Sequence, residues 1–369
     1  MEENTYIKTD LSIQKDGENY TVGRIDIGTF IRVPESGAKI IKCSNLGMYI
    51  KNISKNINID INTCIEFLNQ LKELDLIQKI DFVDQYTIQS SKTNNILFKL
   101  SKIIFSKPFV YTTLFMFVIL TIQVCLTESK LFSGNTLLTN YPGMNILLLS
   151  LVSIILMINH EFGHYLGALS QSVNTKFKLS TRFIFIVMEA EMNNIWSISK
   201  SKRYIPLLGG PFFDIISLIL SYTTFKLGLI SSNLISTIIS LIVLQFLFQF
   251  IIIFRTDLYY LILNYFNLPS LHEKSIEALK YSKFKKQNKT IKGYIFYIII
   301  FSILFLLYFF KVLILNIRNE LSLLIKNLFP INLNFRFIDA ITGLTIISGM
   351  LVFTIYMTYI SNIKRRKYE

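Results

Sequence analysis

Apolar residues fall into two regimes along this chain. Up to about residue 100 they are dispersed among polar ones; beyond it they run together in stretches that reach the roughly 20 residues a helix needs to cross the hydrocarbon core of a bilayer. In the first regime, residues 19–25 and 28–34 alternate with the period of short strands, divided at Asp26-Ile27-Gly28, a segment able to turn. Residues 46–53 and 60–74 then place apolar side chains at helical spacing. In the second of these, Ile61, Ile65, Phe67, Leu68, Leu71 and Leu74 form the stripe, and either Asp60 or a Thr63-x-x-Glu66 capping box marks the start. Residues 76–88 read as a strand pair, which gives the order helix, helix, wing. In the second regime the pattern predicts six spans, at 107–126, 145–170, 204–227, 233–256, 292–315 and 340–361. The segment Met1 to Asp10 is polar and has no apolar core, so no cleavable signal peptide is expected.

Composition agrees with a membrane setting: 51% of the 369 residues are hydrophobic and the mean hydropathy is +0.46. Lysine and arginine crowd residues 176–203, 255–292 and 364–367, whereas 128–144 and 231–233 carry almost none. Basic segments stay on the cytoplasmic side, so an even number of spans predicts a multi-pass protein of the cell membrane with both termini and the first domain in the cytoplasm. The net charge of +14 is then mainly a topology signal and an attraction to anionic lipid headgroups, and nucleic acid is not an expected partner. Cys43, Cys64 and Cys125 show neither CxxC spacing nor an even framework; reduced thiols with no metal are expected.

One motif carries chemistry. His160-Glu161-Phe162-Gly163-His164 is HExxH, it follows the apolar run 146–158, and it uses two of the chain's 3 histidines. Imidazoles at i and i+4 share a helix face and can reach one metal ion, and the glutamate between them can act on water at that ion. Burying Glu161 in a membrane without a partner would cost several kcal/mol, roughly, and a metal site supplies one. A catalytic zinc needs a third protein ligand and an open position. Apart from Glu161, the acidic residues considered as that ligand are Asp214, inside the third span, and Asp257, at the end of the fourth. His160 lies about 22 Å along its span from Asn145, in the cytoplasmic half; Asp257, ending the fourth span, and Asp214, about ten residues into the third, fall in the same half, so depth leaves both open.

The HEFGH helix, Gly210-Pro211-Phe212-Phe213-Asp214 and Thr256-Asp257 resemble the three motifs of the site-2 protease family of intramembrane zinc metalloproteases, over about residues 145–265. The resemblance implies a three-helix core, one Zn2+ per chain held by His160, His164 and Asp257, and Glu161 as the catalytic base on zinc-bound water. It gives Asp214, with Gly210 and Pro211, a role in positioning substrate or supporting the ligands. Two positions depart from the family: Leu258 stands where a Gly follows the ligand Asp, and Asp214 where an Asn is usual. Residues 174–196, read as strands, match a membrane-associated β-loop in that family; an exposed edge there could take an extended substrate as another strand, or the hairpin could only pack on the bilayer.

The first domain, over about residues 15–85, resembles the small winged-helix, peptide-binding domains related to PqqD-type peptide chaperones. A winged helix commonly binds DNA, but here the recognition helix carries Glu66, Glu73 and Asp75 against a single Lys72, which repels phosphates. The expectation is therefore a mainly α, polytopic membrane protein with a small N-terminal α+β domain: residues 1–100 form a cytoplasmic winged-helix-like peptide-binding domain and 101–369 a membrane zinc metalloprotease. The expected substrate is a membrane-associated or leader-bearing peptide or membrane protein, with the lipid bilayer and peptide-modifying or export components as partners. The competing readings are a non-proteolytic membrane protein that binds or exports a modified peptide, and a regulatory protease that releases a membrane-tethered factor. Spans five and six show no identifiable chemistry, and His272, in a basic loop, reads as solvated.

Overall fold

The computed structural model describes residues 1–85, 95–128, 131, 138–182, 185–252, 255–267, 271–280, 288–300, 303, 304, 307, 322, 325, 326 and 335–366. The chain divides into two compact units: residues 1–103 with 165–176 and 191–206, and residues 104–164 with 177–190 and 207–369.

In the first unit, β1 (Tyr6–Lys8), β2 (Ser12–Asp16), β3 (Asn19–Arg24) and β4 (Thr29–Val33) precede α1 (Glu35–Leu46), β5 (Met48–Tyr49), α2 (Ile50–Ile57), α3 (Ile61–Glu73), β6 (Lys79–Ile80) and β7 (Val83–Asp84). β2, β3 and β4 form an antiparallel meander, in which the expected alternation around Asp26-Ile27-Gly28 places Val22 opposite Ile31. A second sheet has the order β5-β1-β6-β7. The predicted helix at 46–53 is instead a two-residue strand followed by α2, because Tyr49 pairs with Tyr6 before the chain coils. At the next helix Asp60 is the cap: its carboxylate accepts the Thr63 N–H at 3.1 Å, so Thr63 is not the capping residue. The expected strand pair at 76–88 narrows to β6 and β7, and residues 86–88 lie outside the described ones.

Ile7, Val22, Ile41, Ile50, Ile53, Leu68 and Leu76 are fully buried together, and each such side chain stabilises by about 1.5–3 kcal/mol relative to exposure. The same unit contains a buried ion pair, Arg203 Nη2 to Asp16 Oδ2 at 2.8 Å; Arg203 also donates to the carbonyls of Ile198 and Trp196. Gly28, at φ +69°, lies against the side chain of Asn193 in a short 3-10 turn, where any Cβ would be 2.7 Å from that of Asn193.

α4 (Asn95–Ile104) leads to four helices that are long and apolar enough to cross a membrane: α5 (Lys107–Thr127), α6 (Pro142–Ser170), α7 (Lys200–Lys226) and α8 (Ser232–Gln249). They correspond to the first four expected spans, but α8 stops seven residues before the predicted end at 256. Between α6 and α7, β8 (Lys176–Arg182) and β9 (Phe185–Glu191) pair as a two-stranded sheet, while 193–197 form the 3-10 turn in place of strand. α9 (Asp257–Phe266) and α10 (Leu271–Lys280) follow. Of the expected fifth span, residues 292–300 are helical and most of the rest lies outside the described residues; the sixth falls within α11 (Phe335–Arg366). Asp339 of α11 accepts the N–H groups of Gly143 and Met144 at 3.0 and 2.7 Å, capping the first turn of α6, a role unread in the sequence.

α6 and α7 meet through glycine. A Cβ on Gly163 would collide with the Gly209 carbonyl, and one on Gly209 with the Gly163 carbonyl. Asn159 secures the approach by donating to the Ser217 hydroxyl at 2.7 Å and to the Phe213 carbonyl at 3.3 Å.

Candidate metal centre

His160 and His164 lie one turn apart on α6, and both are buried, with 3% and 1% of their surface exposed. Their rings are nearly perpendicular, at 76°, and the two Nε2 atoms are 3.2 Å apart. Asp257, the first residue of α9, places Oδ2 at 3.1 Å from each Nε2. The three atoms form an almost equilateral triangle of potential ligands. On the far side of the first ring, Asp214 Oδ2 of α7 lies 2.8 Å from His160 Nδ1. The two carboxylates therefore occupy different places: Asp257 faces both imidazoles, and Asp214 holds the opposite nitrogen of one. The other oxygen of Asp214, Oδ1, is buried with no hydrogen-bond partner among the described residues.

Gly210 makes room for the rings. Its missing Cβ would fall 2.5 Å from His160 Nε2 and closer still to His164 Nε2, so no other residue fits without moving an imidazole. Its N–H points to His164 Nδ1 at 3.4 Å. Pro211 sits inside α7 and has no N–H, which leaves the Leu207 carbonyl without its helical donor.

Glu161 is half-buried and turned toward β9, where its Oε2 accepts the Ala190 N–H at 2.7 Å. His160, Glu161 and His164 can offer ligand atoms within 4.8 Å of one another. Glu161 is nevertheless occupied by the strand, and it is Asp257 that closes the triangle with the two rings. Of the candidate site residues, His160, His164, Asp257, Asp214 and Gly210 thus meet at this centre, Glu161 lies beside it with its carboxylate on Ala190, and Pro211 adjoins Gly210.

Three supporting residues were not anticipated. Gln249 accepts the Thr256 hydroxyl on its carbonyl at 2.6 Å and the Asp257 N–H on its side chain at 3.0 Å, fixing the turn that presents the carboxylate. Asn159 and Ser217 hold the helices together. The available signal was polarity: amide side chains are rare inside apolar spans and mark buried contacts. His272 is also placed differently from the solvated position expected for it. It is half-buried on α10, where its N–H approaches the Tyr259 hydroxyl at 3.4 Å and its Nδ1 the Tyr294 hydroxyl at 3.3 Å. No protein-family model, no curated protein and no solved structure matches this chain.

Proposed function

We propose that this protein is an intramembrane zinc metalloprotease that hydrolyses a peptide bond in a membrane-associated or leader-bearing peptide. The observation that carries the reading is the triangle of His160 Nε2, His164 Nε2 and Asp257 Oδ2, with sides of 3.2, 3.1 and 3.1 Å. Tetrahedral zinc, with bonds of roughly 2.0–2.2 Å, separates its ligand atoms by about 3.3–3.6 Å, so these residues fit the ion after opening by a few tenths of an ångström.

Proton placement supports the same reading. A neutral His160 that donates Nδ1–H to Asp214 turns a bare Nε2 lone pair toward the Asp257 carboxylate, and two acceptors at 3.1 Å repel unless a cation, either a metal ion or a proton on the ring, lies between them. Asp214 then orients the ring and strengthens it as a ligand, as carboxylates behind metal-bound histidines do. Gly210 keeps the space in front of both rings clear.

Zinc held by His160, His164 and Asp257 would supply a Lewis acid able to acidify water and polarise a carbonyl. Glu161, one residue from His160, accepts the proton from the attacking water and returns it to the leaving amine. β9 delivers its backbone directly to Glu161 through Ala190. A substrate added in extended form beside that strand would have its peptide groups free of helical hydrogen bonds and close to the base.

The first domain suits a peptide reader. Its order α1-β5-α2-α3-β6-β7 is helix, strand, helix, helix, strand, strand, and α3 exposes Glu66 and Glu73 beside Lys72. β5 and β7 are the edges of their sheet, with Phe82 and Val83 exposed at the second, where a peptide strand can add. The basic segments 176–203 and 255–292 support a cytoplasmic location for both termini.

Purified protein should cleave a leader-bearing or membrane-tethered peptide, lose that activity on chelation and regain it with zinc. Glu161→Gln should keep the metal and abolish cleavage. Wild-type turnover in Glu161→Gln, or cleavage that survives complete zinc removal, would refute the mechanism; peptide binding without cleavage would point to a binder or exporter.

A further inference from the structure

A second feature of the membrane unit is a cavity of about 570 Å³ bounded by α9, by the start of α10 and by the helical residues 289–300. Its volume is that of a small-molecule site. Leu258 and Ile262 of α9 form one wall, Leu271 of α10 another, and Gly293 and Tyr297 face them; Lys289 stands at one end. The described lining is mostly apolar, and two of its hydroxyls already have partners: Tyr297 donates to the Phe250 carbonyl at 3.0 Å and the Tyr294 hydroxyl lies 3.3 Å from His272 Nδ1. Gly293 leaves the space open: a Cβ there would meet no atom within 4 Å.

We infer that this cavity is a binding site for one anionic phospholipid, with an acyl chain between α9 and the 289–300 helix and the phosphate on Lys289. Charge selects the occupant. Lys289 and Lys292 belong to the basic stretch 255–292, which attracts anionic headgroups, while the apolar walls accept a hydrocarbon chain. A soluble anion would satisfy the lysine and leave the walls wet. Leu258 directly follows Asp257, so a chain packed against it braces the start of α9, and the lipid acts as a structural support for the carboxylate.

The test uses the full-length protein in detergent with dioleoyl phosphatidylglycerol, dioleoyl phosphatidylcholine or inorganic phosphate added, read by native mass spectrometry and by melting temperature. Phosphatidylglycerol should be retained as a single bound copy and should raise the melting temperature; the other two should not reproduce the rise. Gly293→Leu places a side chain into open space at a position where leucine is the better helix former, so it should fold, and it should lose both the bound copy and the shift. Lys289→Glu should remove the preference for phosphatidylglycerol over phosphatidylcholine. Equal shifts from both lipids, a shift from phosphate alone, or a Gly293→Leu protein that still retains its lipid would overturn the inference. So would a Gly293→Leu protein whose lipid response is intact while its KM for a peptide changes, since the cavity would then belong to the substrate. The mass and melting-temperature readouts do not require protease activity, so the inference can fail while the zinc reading stands, and the reverse.

Discussion

Gly210→Ala is the sharpest perturbation of the metal centre, because it adds one carbon and opposes two effects of known sign. The new Cβ would lie 2.5 Å from His160 Nε2, against a comfortable separation of about 3.5 Å between non-bonded heavy atoms. The shortfall is about 1 Å, and it must come from the rings or from the helices. The helices have little to give: Gly163 and Gly209 already bring the two backbones together, and separating them would stretch the 2.7 Å bond from Asn159 to Ser217 and the 2.8 Å contact between Asp214 and His160. The rings therefore move, by several times the tolerance of about 0.2 Å that a metal site allows. Zinc affinity should fall at least about tenfold, equivalent to about 1.4 kcal/mol. The fold should survive, since alanine gains about 0.8–1.0 kcal/mol of helix propensity over glycine against an overpacking cost of about 1–3 kcal/mol. Gly349→Ala, in α11 with nothing near its Cβ, is the matched control and should leave zinc binding unchanged. Zinc bound per chain, measured by elemental analysis across a series of chelator-buffered concentrations, reads the outcome. A Gly210→Ala protein that binds zinc as tightly as the wild type would show that the two Nε2 atoms do not hold an ion in front of Gly210.

Asp214→Asn keeps the shape beside His160 Nδ1 but removes the charge, and should weaken zinc about 10–100-fold, whereas Asp257→Asn should weaken it more; the opposite ranking in the same titration would exchange the two roles. Arg203→Met removes the 2.8 Å partner of the buried Asp16 carboxylate and leaves it the Thr21 hydroxyl and the charge of Arg32, at a cost of up to about 3–5 kcal/mol. Adding Asp16→Leu should recover much of that loss in thermal unfolding, and strictly additive losses would show that the two charges do not act as a pair. Asp26 receives two bonds from Arg24, at 3.0 and 2.5 Å, and that guanidinium holds its carboxyl below the usual range. A carboxylate with a lowered folded pKa stabilises above its unfolded value and loses that contribution as the pH falls through the folded one. Amide protection in the β3–β4 meander, corrected for the intrinsic pH dependence of exchange, should therefore fall as the pH drops below the free-carboxylate value of about 3.9 in the wild type, with a smaller change in Asp26→Asn; identical profiles would remove Arg24–Asp26 as the cause.

Sequence legibility tracked the range of the interaction. HExxH is local: one helical turn brings its two histidines together in any α-helix, so their joint approach to one point needed no tertiary information. The β3–β4 meander and α3 with its Asp60 cap were likewise visible, because their pairing and capping partners lie within about a dozen residues. β1 was not, since it has three residues and its partners are Tyr49 and Ile80, more than forty positions away. α1 was missed for another reason. Its buried face includes Gly37, Ala38 and Ser44, small residues that do not stand out as an apolar stripe. The choice between Asp214 and Asp257 was open on depth alone, because two carboxylates at one level can exchange roles; what separates them is which imidazole nitrogen each one meets, and that depends on how α7 and α9 are turned.

The end of α8 shows why such a centre needs a break in its fourth helix. Apolar residues continue past Gln249 to Phe254 with no turn residue among them, so hydropathy carries the span on to 256. The helix nonetheless stops at Gln249, and irregular backbone so close to a membrane span is costly unless its polar groups find internal partners. The partners are there: the Gln249 carbonyl takes the Thr256 hydroxyl, its side chain takes the Asp257 N–H, and the Phe250 carbonyl takes the Tyr297 hydroxyl. What the break supplies is a new helix N-terminus. Had α8 run on, Asp257 would project from the side of a continuous helix, its N–H already bonded to the carbonyl four residues back. As the first residue of α9 it lies where the helix dipole favours a negative charge, on a turn fixed by Gln249, with its carboxylate against both imidazoles. Gln249 thus does for Asp257 what Asp214 does for His160: each holds one of the candidate ligands from behind, which under the proposed zinc reading would arrange the donor atoms in advance of the ion.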